Sequence, residues 1–117
     1  MKKTYHLSSC DTCKRILNSW PLSEDHILQD IKKEPLTPDQ LEELFEMSGS
    51  YKALINGRAR LFKEKGLTAK TIDEDQAKAL LLEHYTFLKR PVTILGNQLF
   101  IGNGKKEVAA VAEALAQ

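Results

Sequence analysis

Tyr5-His6-Leu7-Ser8-Ser9-Cys10-Asp11-Thr12-Cys13-Lys14 is the stretch on which the reading of this chain turns. Leading into it, Lys2 to Leu7 alternates, with Tyr5 and Leu7 apolar, which predicts a short strand. Beyond it, Ile16, Leu17 and Trp20 recur at helical spacing, which predicts a helix from Asp11 to Trp20 stopped by Pro21. Both cysteines of the chain therefore fall where a strand runs into a helix. The first helical turn offers free N–H groups and the positive end of the dipole, and both favour an anion. An ordinary thiol with a pKa near 8.5 is only about 3% thiolate at pH 7, and such a setting lowers that pKa by roughly one to several units. Two cysteines spaced i, i+3 on one turn also lie close enough to close a disulfide. The pattern points to thiol redox or nucleophilic chemistry at Cys10 and Cys13.

Other uses of the pair fit less well. A zinc site needs a second pair of ligands, and only three scattered histidines remain, His6, His26 and His84. No metal is expected. A structural disulfide belongs to secreted proteins, and Met1-Lys2-Lys3-Thr4 carries charge with no apolar run behind it. A cytoplasmic, reducing setting is expected, where a CxxC is more often catalytic or redox-sensing than structural. Two inert buried cysteines remain the bland alternative. The 117 residues, 42% hydrophobic and 28% charged, suit one folded domain with its own core. A net charge of +1 supplies no global field to recruit nucleic acid or an anionic membrane. No apolar stretch approaches the roughly 20 residues of a membrane helix.

The remaining elements follow outward. His26 to Ile31 predicts a second strand, and strand–helix–strand in so short a span predicts a parallel pair. Thr37-Pro38-Asp39-Gln40 is a capping box with proline at the first helical position, opening a helix whose inward stripe is Leu41, Leu44 and Phe45. Ser48-Gly49-Ser50 breaks it, and a short helix over Tyr51 to Ile55 is cut by Asn56-Gly57. Arg60 to Lys65 predicts another, ending at Gly66. Thr71 to Glu74 reads as a second capping box, before a helix with Ala77, Leu80, Leu81 and His84 or Tyr85 on one side. Val92 to Ile101 is a hairpin around Gly96-Asn97, where glycine first favours a type II′ turn. A final helix buries Val108, Val111, Ala112 and Leu115. The order predicts an α/β fold: a thioredoxin-like mixed four-stranded sheet in a single domain, 1–117, with a helical insertion at about 37–87.

Three motifs in order resemble the glutaredoxin-coupled arsenate reductase (ArsC) family and its Spx-type relatives: Tyr5-His6-x-x-x-Cys10, Asn56-Gly57-Arg58 with Gly66-Leu67 beyond it, and Leu88-Lys89-Arg90-Pro91-Val92. The resemblance spans essentially the whole chain and implies roles. Cys10 would be the nucleophile and His6 a group that helps keep its thiolate charged. Arg58 and Arg90 would bind the oxyanion, since guanidinium forks match paired oxygens, with Ser9 and Pro91 completing the substrate-binding set. Pro91 would follow a cis bond. Glutathione would be the reductant, with glutaredoxin or a thioredoxin-type reductant as partner, and no cofactor would be bound. The chain departs from the family at Ser9, where an arginine usually precedes the nucleophile, and at Asn103-Gly104-Lys105-Lys106, where lysines stand in the region of a third arginine.

Two functions follow. One is an arsenate reductase-like oxidoreductase in which glutathione or Cys13 resolves the intermediate formed on Cys10. The other is an Spx-like redox switch, in which a Cys10–Cys13 dithiol and redox-active disulfide controls docking on RNA polymerase.

Overall fold

Strand β1 (Lys2–His6) pairs on both sides: in parallel with β2 (Ile27–Asp30) and antiparallel with β3 (Val92–Leu95), which pairs antiparallel with β4 (Gln98–Ile101). The order across the sheet is β2-β1-β3-β4, the mixed four-stranded sheet expected. The computed structural model describes residues 1–117. Met1–Glu34 with Arg90–Gln117 form one unit, which holds the sheet, and Pro35–Lys89 form a second, helical unit.

In the sheet unit, α1 (Asp11–Ser19) links β1 to β2 and α5 (Lys105–Leu115) follows β4. Ile16, Trp20 and Val111 are buried together, with Leu17, Leu95, Phe100, Val108 and Leu115 packed around them. The Trp20 indole N–H donates to the Val108 carbonyl at 3.0 Å, so the ring is buried with its polar atom satisfied. At the hairpin Gly96 has φ +62 and no non-glycine residue has a positive φ, which is the type II′ arrangement expected. Strand β2 is an edge strand, and Ile27 and Leu28 are 49% and 47% exposed, whereas Ile31, just past the strand, is buried. The sheet interior also holds a polar chain. Thr4 Oγ1 lies 2.8 Å from His26 Nε2 and 2.9 Å from Thr93 Oγ1, all buried. Burial, helped by the charge of Lys2, holds the His26 pKa below the usual histidine value.

In the helical unit, α2 (Pro38–Ser48) opens as expected: Thr37 Oγ1 accepts the Gln40 N–H, and Gln40 Oε1 accepts the Thr37 N–H, each at 3.1 Å. Leu41 and Leu44 are buried, and Phe45 stacks on Tyr51. The helix expected over Tyr51 to Ile55 is only a 3₁₀ turn, Lys52–Leu54. α3 (Arg60–Lys65) ends at Gly66 with φ +67, the left-handed position that glycine adopts without a Cβ clash. The start of α4 (Glu74–Glu83) corrects the expectation at Thr71. The N-cap is Asp73, which forms the capping box with Gln76. Glu74 cannot reach back to Thr71, because its carboxylate accepts the Ser50 hydroxyl and the Tyr51 and Lys52 N–H groups. Thr71 instead bonds the Thr68 carbonyl. His84 and Tyr85 also lie past the helix: His84 Nδ1 accepts the Thr86 N–H and starts the 3₁₀ turn Tyr85–Phe87. Accordingly, Asp73→Ala lowers stability by about 1 kcal/mol, read as a lower denaturant midpoint at unchanged slope, and Asp73→Ser recovers most of it.

Candidate functional site

Because β1 and β2 are parallel and β3 runs against them, three chain segments come to one end of the sheet. These are the turn leaving β1, the end of β2 and the entry to β3. The register sets His6 opposite Asp30 and Tyr5 opposite Val92. Cys10, Cys13, His6, Asp30, Arg90 and Pro91 therefore belong to the same end of the sheet unit. The Arg90–Pro91 bond is cis, Pro91 is buried, and its carbonyl accepts the Gly102 N–H at 2.9 Å.

Cys10 is the N-cap of α1, with extended backbone. Its N–H donates to the Leu7 carbonyl at 3.0 Å, closing the Ser8-Ser9 turn, and its carbonyl accepts the Lys14 N–H at 3.1 Å. Its thiol is half-buried and that of Cys13, on the first turn, is fully buried; both are free. Burial pushes the Cys10 pKa up, but the backbone N–H and thiol of Cys13, the charge of Arg90 and the Thr12 N–H together bring it below the ordinary value. Cys13 moves the other way, to about 11: burial raises it, the Leu7 backbone opposes, and the charge on Cys10 raises it further. The two thiols thus split: the more accessible Cys10 is the one that ionises first, and the buried Cys13 thiol donates to it. Iodoacetamide at pH 7 is expected to label Cys10 and to leave Cys13 unmodified until the protein unfolds. Peptide mass mapping checks this.

His6 closes β1, four residues before Cys10. Burial lowers its pKa, with Asp30 opposing, so the ring is neutral near pH 7. A neutral imidazole supplies no positive field, and the cation acting on Cys10 is Arg90. Ser9 is exposed in the turn before Cys10. Arg58 lies in the helical unit, exposed, with its backbone N–H on Asn56 Oδ1 at 3.1 Å, and Arg60, two residues on, is exposed as well. Lys105 and Lys106 begin α5 and are exposed. Asp30 was not among the residues singled out from the sequence. Its signal was available: a carboxylate closing the second strand of a parallel pair ends beside whatever follows the first. No group of three or more His, Cys, Asp or Glu side chains is placed to hold a metal ion. No helix is long and apolar enough to cross a membrane.

A cysteine at this junction of a thioredoxin-like sheet, with an arginine and a cis proline opposite, invites comparison with known proteins. The model of the ArsC family matches residues 5–111. The chain belongs to the ArsC family. Among proteins similar to this ArsC-family chain is the global transcriptional regulator Spx of Bacillus subtilis, 24% identical over 113 residues, which are 92% of this chain and 84% of Spx. An arsenate reductase (ArsC) related protein from Brucella melitensis shares 24% identity and superposes with a TM-score of 0.69 over 93% of this chain and 92% of its own. An arsenate reductase from Vibrio cholerae, 22% identical, gives 0.64 over 94% of this chain and 96% of its own. At these identities the solved structures speak to the fold, and it is the thioredoxin-like one expected.

Proposed function

We propose that this ArsC-family chain is a thiol-dependent oxidoreductase of the arsenate reductase type, working in the cytoplasm, with Cys10 as its nucleophile. The observation that carries the proposal is the opposite tuning of the two cysteines: an accessible, stabilised thiolate at a helix N-cap beside a buried thiol. A soft thiolate attacks an electrophilic centre such as As(V), forming a sulfur–arsenic bond as water departs. A second thiol then completes a disulfide with Cys10. Two electrons pass from the two sulfurs to arsenic, which leaves as arsenite. Glutathione supplies the second thiol, and a glutaredoxin or thioredoxin-type protein restores the dithiol. Cys13 serves as the alternative resolving group. Capping Cys10 removes its negative charge, and with it one cause of the raised Cys13 pKa.

Arg90 is proposed to bind the oxyanion and to offset the charge that builds on attack. Arg58 keeps the anion-binding role that the family pattern gives it, and Ser9 and Pro91 complete the set. His6, neutral near pH 7, suits proton exchange better than charge stabilisation.

A second reading is favoured by one observation, the similarity to a global transcriptional regulator whose match covers most of both chains. There Cys10 and Cys13 switch between dithiol and disulfide and alter binding to RNA polymerase. NADPH consumption with arsenate, glutathione, glutathione reductase and glutaredoxin separates the two. Arsenate-dependent turnover that weakens in Arg90→Ala supports the reductase. Absence of turnover, with a readily formed Cys10–Cys13 disulfide, overturns it in favour of the switch.

A further inference from the structure

Asp30 closes β2 and stands opposite His6 in the parallel register. Its Oδ1 accepts the Ser8 backbone N–H at 3.3 Å and the Lys32 backbone N–H at 3.2 Å, while the Ile31 N–H beside it donates to the His6 carbonyl at 2.9 Å. The other oxygen, Oδ2, is buried with no hydrogen-bond partner. Buried carboxylate oxygens are rarely left so, because an unmade bond costs the desolvation of the group. Burial pushes the Asp30 carboxyl up, but the Ser8 hydroxyl, the Lys32 and Ser8 N–H groups and the charge of His6 together bring it below the usual carboxylate value. It is therefore an anion at neutral pH, set between the turn that delivers Cys10 and the histidine that precedes it.

We propose that Asp30 is a positioning residue of the thiol site: Oδ1 pins the Ser8-Ser9 turn that presents Cys10, and Oδ2 is an open acceptor opposite His6. Only Ser8 and Ser9 separate the end of the first strand segment, Leu7, from Cys10. That turn is closed by the Cys10 N–H on Leu7 and tethered sideways by Ser8 on Asp30. Together the two ties hold the Cys10 sulfur near the Thr12 and Cys13 N–H groups that stabilise its thiolate. When His6 takes up a proton, Oδ2 is the acceptor available to the imidazolium. Asp30 thus links the reactivity of Cys10 to the protonation of His6. This inference rests on the reading of Cys10 as the reacting thiol.

The two ways in which Asp30 can act on Cys10 differ in sign. As a bare negative charge it disfavours a second anion, so its removal would lower the Cys10 pKa. As a tether it aligns the groups that favour the thiolate, so its removal raises the Cys10 pKa. The test follows the pH dependence of iodoacetamide labelling at Cys10, by mass spectrometry, in the wild type, Asp30→Ala and Asp30→Asn. Asp30→Ala is expected to move the labelling curve up in pH and to slow labelling at pH 6.5 several-fold. Asp30→Asn, which keeps an acceptor for Ser8, is expected to restore the wild-type curve or fall slightly below it. In both variants the His6 ring resonances should titrate at lower pH, because the charge that raises the His6 pKa is gone. If Asp30→Ala does not fold, Asp30→Val, a good strand former without an acceptor, carries the same test. A downward shift in both variants, or no shift in Asp30→Ala, overturns the proposal. A wild-type Cys10 that titrates as an ordinary thiol overturns the nucleophile reading along with it, whereas a lowered wild-type value untouched by Asp30→Ala overturns the proposal alone.

Discussion

Replacing Cys10 by serine is expected to abolish thiol-dependent turnover, by at least about a thousandfold, because the proposed reaction runs through a sulfur bond on Cys10 and the other thiol, Cys13, is buried. The matching replacement at Cys13 should do far less with glutathione present. Cys13 is fully buried and its thiol is held near pKa 11, so its resting role is to donate to Cys10. A serine hydroxyl at that position still donates. Turnover of Cys13→Ser should therefore stay within about tenfold of wild type. If Cys13 is instead the obligatory resolving group, Cys13→Ser would stop after one turnover, with Cys10 left as an adduct visible by mass spectrometry. The pH profile adds an independent check. Activity rises with pH as the Cys10 thiolate forms, and because its pKa is lowered the midpoint of the rise should lie below that of an ordinary thiol.

The second large effect is on stability. Trp20→Ala is expected to destabilise the protein by about 3–5 kcal/mol, the usual range for truncating a buried aromatic ring. Trp20 is 6% exposed, it sits with Ile16 and Val111 in the cluster where α1 meets α5, and its indole N–H is satisfied by the Val108 carbonyl. Truncation opens a cavity beside Ile16 and Val111. Trp20→Phe keeps most of the volume and loses chiefly the hydrogen bond, so it should cost only about 1–2 kcal/mol. Circular dichroism is the proper probe, because the chain has one tryptophan and the variants remove it. A loss under 1 kcal/mol for Trp20→Ala would contradict this packing of α1, the helix whose N-terminus carries Cys10.

Much of this fold was legible because its signals are local. A capping box at Thr37 and Gln40, a two-residue Gly96-Asn97 loop between apolar runs, and a glycine ending α3 each specify geometry within a few residues. The parallel pairing of β1 with β2 followed from the shortness of the connection, and the sheet carries it. The misreadings come where distant groups compete for a side chain. Glu74 looked like the partner of Thr71, but the turn at 50–52 takes its carboxylate, and Asp73 becomes the cap. Periodicity continued α4 through His84, yet that imidazole caps the next turn instead. At the candidate site, spacing singles out Cys10 and Cys13, and the family motifs single out Arg90 and Pro91. Spacing cannot tell which of two similar thiols is ionised. That depends on burial and on which N–H groups face each sulfur, and both follow from the packed structure. Asp30 was missed because its meaning lies in what the register sets beside it, 22 residues away along the chain at Ser8.

The central claim is that Cys10 is held as a thiolate while Cys13 is held as a thiol. Thiolate absorbance at 240 nm, followed through a pH titration of the folded, reduced protein, tests it most directly. The account predicts two separate ionisations. The first lies below the ordinary thiol value and disappears in Cys10→Ser. The second lies near 11 and disappears in Cys13→Ser. A single overlapping step near 8.5, the value of an unperturbed thiol, would contradict it.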